Sequence, residues 1–72
     1  MKIEKQLGMR IRYLRKQKGL SIEDLALKAE IHPTYLSDLE RGTRNPTLKI
    51  ITKISIALDV SLSELTKGLE VY

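Results

Sequence analysis

The chain has no cysteine, tryptophan or phenylalanine among its 72 residues, and His32 is its single histidine. Without cysteine there is neither a disulfide framework nor a thiolate metal site, and a lone histidine argues against a metal ion. No apolar run approaches the roughly 18 residues that a membrane-spanning helix needs, and residues 1–5 lack the apolar core of a signal peptide. These absences predict a cytoplasmic protein with no membrane partner.

Catalytic constellations are missing as well. No paired carboxylates, nucleophile and base set, or glycine-rich phosphate loop is visible. A chain this small buries only about 60–65% of the surface that its unfolded form exposes, which leaves little room for an enzyme cleft. We therefore predict that the protein is not an enzyme and has no catalytic residue, cofactor or small-molecule ligand.

What the chain does contain is an uneven distribution of charge, with a net value of +4. Residues 1–19 carry seven lysines and arginines and residues 41–53 carry four, whereas residues 20–40 carry five acids and one lysine. Basic flanks around an acidic middle suit an anionic partner, although solvated helix faces give the same pattern. The charges alone only modestly favour nucleic acid.

The apolar residues recur at intervals of three and four throughout, and no stretch alternates as a strand does. We predict an all-α fold of five short helices forming one domain over residues 1–72. The fourth helix should bury one side, which holds Leu48, Ile51, Ile54, Ser55 and Leu58, and the fifth should end near Gly68. The later helix starts are marked by capping residues, namely Ser21 with Asp24, His32 before Pro33, Thr47, and Ser61 with Glu64.

The second and third helices lie in the stretch "SIEDLALKAEIHPTYLSDLE", with only a short break between them. Two helices joined by three or four residues cross steeply, so that the second begins at an outer corner from which it can enter a DNA major groove. Residues 21–40 therefore fit a helix-turn-helix motif. A plain bundle of short capped helices is the competing interpretation at this point.

Several separate marks make the interpretation specific: "LRKQKGLS", "DLALKA", "LSDLERG", "NPTL" and "ALDVSLSEL". Together they give residues 7–65 a close resemblance to the phage-repressor family of helix-turn-helix DNA-binding proteins, of Cro/cI or XRE type. The stretch "HPTYLSDLERGTRN" is similar in particular to the small controller proteins of restriction–modification systems. The resemblance implies a five-helix, lambda-repressor-like domain that regulates transcription by binding double-stranded operator DNA.

The resemblance also implies site residues. The recognition helix would span residues 33–41, and the positions that face base edges are Pro33, Thr34, Ser37 and Asp38. For Asp38, a solvated surface acid is an equal alternative to a cytosine acceptor. Arg15 and Glu40 are expected to form a structural ion pair. The expected contacts with backbone phosphates are Arg15, Ser21, Ile22, Glu23, His32, Tyr35, Arg41, Arg44 and Asn45.

One recognition helix reads only a few base pairs, so we expect a homodimer on an inverted-repeat operator. The apolar residues available for its interface are Ile56, Leu62, Leu65, Leu69, Val71 and Tyr72. The alternative function is a protein-interaction module, such as an antitoxin-like or anti-repressor partner. That module would bind through the acidic stretch at residues 20–40 and the apolar C-terminal residues.

Overall fold

The computed structural model describes residues 1–70, and the regular structure in that range is entirely helical. The helices are α1 (Ile3–Gln17), α2 (Ile22–Ala29), α3 (Pro33–Arg41), α4 (Leu48–Ala57) and α5 (Leu62–Leu65). The predicted all-α fold with five helices is confirmed for this part of the chain, although α5 is a single turn that ends before Gly68. Within residues 1–70 no helix is both long and apolar enough to span a membrane.

The starts of α2 and α3 are fixed by local hydrogen bonds. The Asp24 N–H donates to Ser21 Oγ at 3.0 Å, and the Ser21 N–H donates to Asp24 Oδ2 at 3.1 Å. The bond from the Ser21 backbone favours the charged carboxylate and lowers the pKa of Asp24 below its ordinary value. At the start of α3, His32 Nδ1 accepts from the Thr34 N–H at 3.1 Å, and Pro33 follows in the first helical position. Both helices therefore begin at the predicted residues.

The turn from α2 to α3 passes through Glu30, which has a left-handed backbone with φ of 57°. A residue with a Cβ atom costs about 1–2 kcal/mol in this conformation, which is why glycine is preferred there. The turn is closed by the Ile31 N–H, which donates to the Ala26 carbonyl at 3.0 Å. The short left-handed turn directs the chain from α2 steeply into α3.

All five helices contribute side chains to one apolar core. Each fully buried leucine or isoleucine contributes about 1.5–3 kcal/mol relative to an exposed one, so the core is the main stabilising element. Its members are Leu7, Ile11, Leu14, Leu25, Ala26, Ala29, Leu36, Leu39, Ile54, Leu58 and Leu65.

Helix α4 buries the predicted side except at its first residue. Ile54, Ser55 and Leu58 are buried as expected, but Leu48 is 72% exposed. The prediction that Leu48 faces the core is therefore wrong. Ile51 packs partly against the core as predicted, and Ile50, which was not predicted, packs there as well.

Helix α1 lies with its backbone directly against the end of α3. A Cβ atom placed on Gly8 would come within 2.3 Å of the Leu39 carbonyl oxygen and 2.6 Å of the Glu40 carbonyl oxygen. Similarly, Gly42 has a φ of 79°, and a Cβ atom there would lie 2.7 Å from the Cα atom of Lys5. The close approach at these two glycines fixes the C-terminal end of α3 on the scaffold.

Candidate nucleic-acid interface

A buried ion pair holds the two ends of the helix-turn-helix segment together. Arg15 donates from Nε to Glu40 Oε2 at 2.7 Å and from Nη2 to Oε1 at 2.9 Å. Its Nη1 donates to the Leu20 carbonyl at 2.9 Å, just before α2 begins. Arg15 of α1 thereby joins the start of α2 to the last turn of α3. The hydrogen bond to Glu40 raises the pKa of the Arg15 guanidinium, which stays charged.

This geometry changes the role expected for Arg15. The side chains of Arg15 and Glu40 are only 8% and 5% exposed, and all three guanidinium nitrogens of Arg15 donate within the protein. The structure contains the expected structural pair but does not support the phosphate contact predicted for Arg15. The guanidinium is enclosed by the scaffold and is not presented to a ligand.

The outer face of α3 forms a stripe that we call the recognition stripe, made of Thr34, Ser37, Asp38 and Arg41. These residues follow the spacing i, i+3, i+4 and i+7, which places them on one side of a helix. Leu36, Leu39 and Glu40 occupy the opposite, buried side. Thr34 and Arg41 are exposed, and Ser37 and Asp38 are half-buried, as is Pro33 beside the stripe. The stripe offers hydroxyl groups and a methyl group suited to base edges.

Asp38 does not present a free carboxylate. Arg41 Nη2 donates to Asp38 Oδ1, and Arg44 Nε donates to Asp38 Oδ2 at 3.3 Å. The Arg44 guanidinium also lies over the ring of Tyr35, 5.6 Å from its centre. The structure therefore favours neither the predicted cytosine contact nor the solvated surface acid, because the carboxylate is the shared partner of two arginines.

The loop after α3 lies beside two lysines at the start of the chain. Arg44 and Asn45, two of the residues expected to contact phosphates, are exposed, and they line a cleft together with Lys2 and the acidic Glu4. The backbone contact at Gly42 places Lys5 beside the same loop. Lys2 and Lys5 were not predicted as site residues, because their position depends on how the start of α1 packs on the end of α3. The only sequence signal for these two lysines was the excess of basic residues in residues 1–19.

The first turn of α2 offers backbone N–H groups to an anion. Helix geometry leaves the first N–H groups without an intrahelical acceptor, and those of Ser21 and Asp24 are used by the capping box. The N–H groups of Ile22 and Glu23 are the ones that can donate to a phosphate oxygen. The Ile22 side chain itself packs partly against the core. Within residues 1–70 no cluster of potential metal ligands is present.

Comparison with known proteins identifies the family to which this chain belongs. A family model described as helix-turn-helix matches residues 11–65, which is most of the chain. The chain belongs to the helix-turn-helix family. The matched range begins slightly later than residues 7–65, where the sequence motifs indicated it, and it contains α2, α3 and the turn between them.

Individual helix-turn-helix relatives share much of this sequence. Control protein C.BamHI of Bacillus amyloliquefaciens is 48% identical over 59 residues, which cover 81% of this chain and 73% of that protein. The transcriptional regulator SinR of Bacillus subtilis is 43% identical over 60 residues, which cover 82% of this chain and 54% of SinR. The chain spans about half the length of the first curated relatives that it matches.

A crystal structure of the restriction–modification controller protein C.AhdI from Aeromonas hydrophila superposes with a TM-score of 0.85 at 42% identity. The superposition covers 86% of this chain and 94% of that one. The sequence-based resemblance to XRE-type proteins and to controller proteins is thus confirmed at the level of family and fold.

The residues predicted to join two copies of this helix-turn-helix domain have different environments. Leu65 is completely buried in the core, so the prediction that it lies at an intermolecular interface is wrong. Leu69 packs partly against the same core. Ile56 and Leu62 are exposed, and Leu48 joins them as an exposed leucine on α4. Val71 and Tyr72 lie outside the described residues.

Proposed function

We propose that the protein is a sequence-specific transcription regulator that binds double-stranded DNA with α3 in the major groove. The observation that carries this proposal is the recognition stripe, which stands outward on a helix whose opposite side is anchored by the buried pair of Arg15 and Glu40. A rigidly held helix with short polar side chains suits base reading, because base contacts require a fixed distance from the groove floor. Binding to DNA is compatible with the cytoplasmic location expected from the sequence.

Within this interface we assign base reading mainly to Thr34 and Ser37. The Thr34 methyl group suits a thymine methyl, and the two hydroxyl groups can donate to or accept from base edges. Arg41 lies on the same stripe, so it can reach either a base or a phosphate. Pro33 remains a candidate for apolar contact at the helix start.

Phosphate binding is assigned to groups around the stripe. They are the backbone N–H groups at Ile22 and Glu23, the side chains of Ser21, His32, Tyr35, Arg44 and Asn45, and Lys2 and Lys5 beside the loop after α3. Such contacts set the position of a protein on the duplex without reading its sequence. The names of SinR and C.BamHI describe those relatives as a transcriptional regulator and a control protein, which supports the same role here.

We also propose that two copies bind together as a homodimer. Leu48 and Ile56 are 72% and 73% exposed on one side of α4, with Thr52 between them at helical spacing. Two exposed large aliphatic side chains in such a row suit a self-complementary contact. Ile56 and Leu62 were predicted for the interface and stay in it, and the exposed Leu48 takes the place of the buried Leu65. A two-fold dimer would meet inverted half-sites about 34 Å apart, or roughly 10–10.5 base pairs from centre to centre.

Selection of bound duplexes from a random pool tests the proposal. We expect enrichment of one inverted repeat with the spacing given above. If no sequence is enriched, and the affinity for every duplex varies only with the salt concentration, sequence-specific regulation is contradicted.

One observation supports the alternative function, a protein-interaction module. Leu27 is 81% exposed on α2, whose first turn carries the acids Glu23 and Asp24. Phosphate binding weakens log-linearly as salt concentration rises, whereas an apolar protein contact does not. Two results together would support the alternative function. The protein would show no DNA binding at low salt, and it would bind a protein partner in a salt-insensitive way that Leu27→Lys abolishes.

A further inference from the structure

We propose that Asp38 is an internal counter-ion, which holds Arg41 and Arg44 in the free protein and competes with DNA phosphate for them. The inference rests on the proposed DNA-binding function. It assigns to Asp38 a regulatory role, in which the carboxylate limits the attraction of the protein to DNA of any sequence. This role differs from the base contact and from the passive surface acid that the sequence suggested.

The geometry shows that Asp38 is engaged on both sides. Each carboxylate oxygen accepts from a different arginine, and the Asp38 side chain is only 15% exposed. The arginines are far more open, with side chains 64% and 56% exposed. Each uses a single nitrogen for Asp38 in these bonds. A phosphate can therefore approach both guanidinium groups from the solvent side, while the carboxylate draws them toward the helix.

The carboxylate is not needed to shape the loop that carries Arg44. The backbone carbonyl of Asp38 accepts from the Thr43 N–H at 3.0 Å and from Thr43 Oγ1 at 3.1 Å. Neither bond involves the Asp38 side chain. The ring of Tyr35 also lies beneath the Arg44 guanidinium. Because backbone bonds and the aromatic ring already position this arginine, the main effect of the carboxylate is its charge.

The exchange of partners alters the number of ions released on binding. When phosphates take Arg41 and Arg44, the duplex releases condensed cations, while Asp38 loses its partners and attracts a cation from solution. The uptake offsets part of the release, so the salt dependence of binding should be shallower than the count of phosphate contacts implies. An uncharged residue at position 38 would remove the uptake.

The substitution Asp38→Asn tests this, because asparagine keeps the size of the side chain and one acceptor oxygen. We expect the variant to bind a duplex of unrelated sequence about 2–30-fold more tightly at low salt, the combined effect of two partly exposed ion pairs. We also expect the slope of log affinity against log salt to steepen by about one. Both are measured by fluorescence anisotropy across a salt series.

The matched control is Asp59→Asn, which changes the net charge equally on the loop between α4 and α5. Asp59 has a φ of 56°, and asparagine tolerates that conformation well. The control should change the slope much less than Asp38→Asn does. As a second measurement, Arg44→Ala should cost more affinity in the Asp38→Asn background than in the wild type, because Arg44 is then free of its competitor.

The outcomes separate the two proposals. If the wild type binds neither a selected operator nor unrelated DNA, the proposed function itself fails. If the wild type binds but Asp38→Asn weakens binding, leaves the slope unchanged, or matches the Asp59 control, then Asp38 is not a competing counter-ion.

Discussion

Replacing Glu40 by alanine should destabilise the protein more than the loss of a surface ion pair would. The substitution leaves the Arg15 guanidinium buried, with the Leu20 carbonyl as its remaining hydrogen-bond acceptor. Removing one partner of a buried pair costs about 3–5 kcal/mol, because the other charge is left uncompensated. A domain of 72 residues has a total unfolding free energy of roughly 4–11 kcal/mol. Glu40→Ala should therefore lose a large part of the stability.

The measurement is urea unfolding followed by far-ultraviolet circular dichroism at constant pH. Glu40→Gln retains one acceptor oxygen and should fall between the wild type and Glu40→Ala, so the series stays informative if the alanine variant does not fold. In the double variant Arg15→Met with Glu40→Leu, no charge is left buried, and its stability should exceed that of Glu40→Ala. The Leu20 carbonyl loses its donor in that variant, at a cost of about 1 kcal/mol.

A Glu40→Ala variant within about 1 kcal/mol of the wild type would refute this reasoning, since that is the range of an exposed pair. So would a double variant that is less stable than Glu40→Ala. Either result would mean that the pair does not join the ends of the helix-turn-helix segment in solution.

Three other predictions follow from the same structure. Gly8→Ala should strongly lower the melting temperature, because its Cβ atom would lie 2.3 Å from the Leu39 carbonyl oxygen; melting like the wild type would contradict the close packing. The lowered pKa of Asp24 means that its stabilising charge is fully present above the ordinary carboxyl pKa of about 3.9 and is lost as the pH falls through the folded value. The stability difference between wild type and Asp24→Asn should thus shrink on acidification, and a constant difference would be contrary to the capping role. Sedimentation should show that Ile56→Lys weakens the proposed dimer, whereas Met9→Lys, at an exposed apolar residue on α1, does not. Equal dimerisation of both variants would exclude the proposed α4 contact.

The elements that were predictable from sequence are those set by residues near one another in the chain. The start of α2 follows from Ser21 and Asp24, and the start of α3 follows from His32 and Pro33, because capping hydrogen bonds span only a few residues. The exposed face of α3 was likewise predictable from its 3.6-residue period. The helix-turn-helix motif follows from these starts and the short turn between them.

Features that depend on packing between distant segments were not predictable in the same way. Gly8 gave no local signal, because its need for a missing Cβ atom arises from the carbonyl groups at the end of α3. Leu48 satisfied the helical spacing of a core residue, but the spacing cannot show that the other elements leave the first turn of α4 uncovered. For Asp38, the period gave the correct face, yet its role depends on two arginines, one of which reaches back from the following loop.

The most direct test of DNA reading by α3 compares Thr34→Ala and Ser37→Ala with Arg44→Ala on a selected operator and on unrelated DNA. We expect the first two variants to lose about 1–3 kcal/mol of discrimination between the duplexes while their salt slope stays unchanged. Arg44→Ala should weaken binding to both duplexes and flatten the slope by up to about one. Equal losses by all three variants on both duplexes would contradict the assignment of base reading to the recognition stripe.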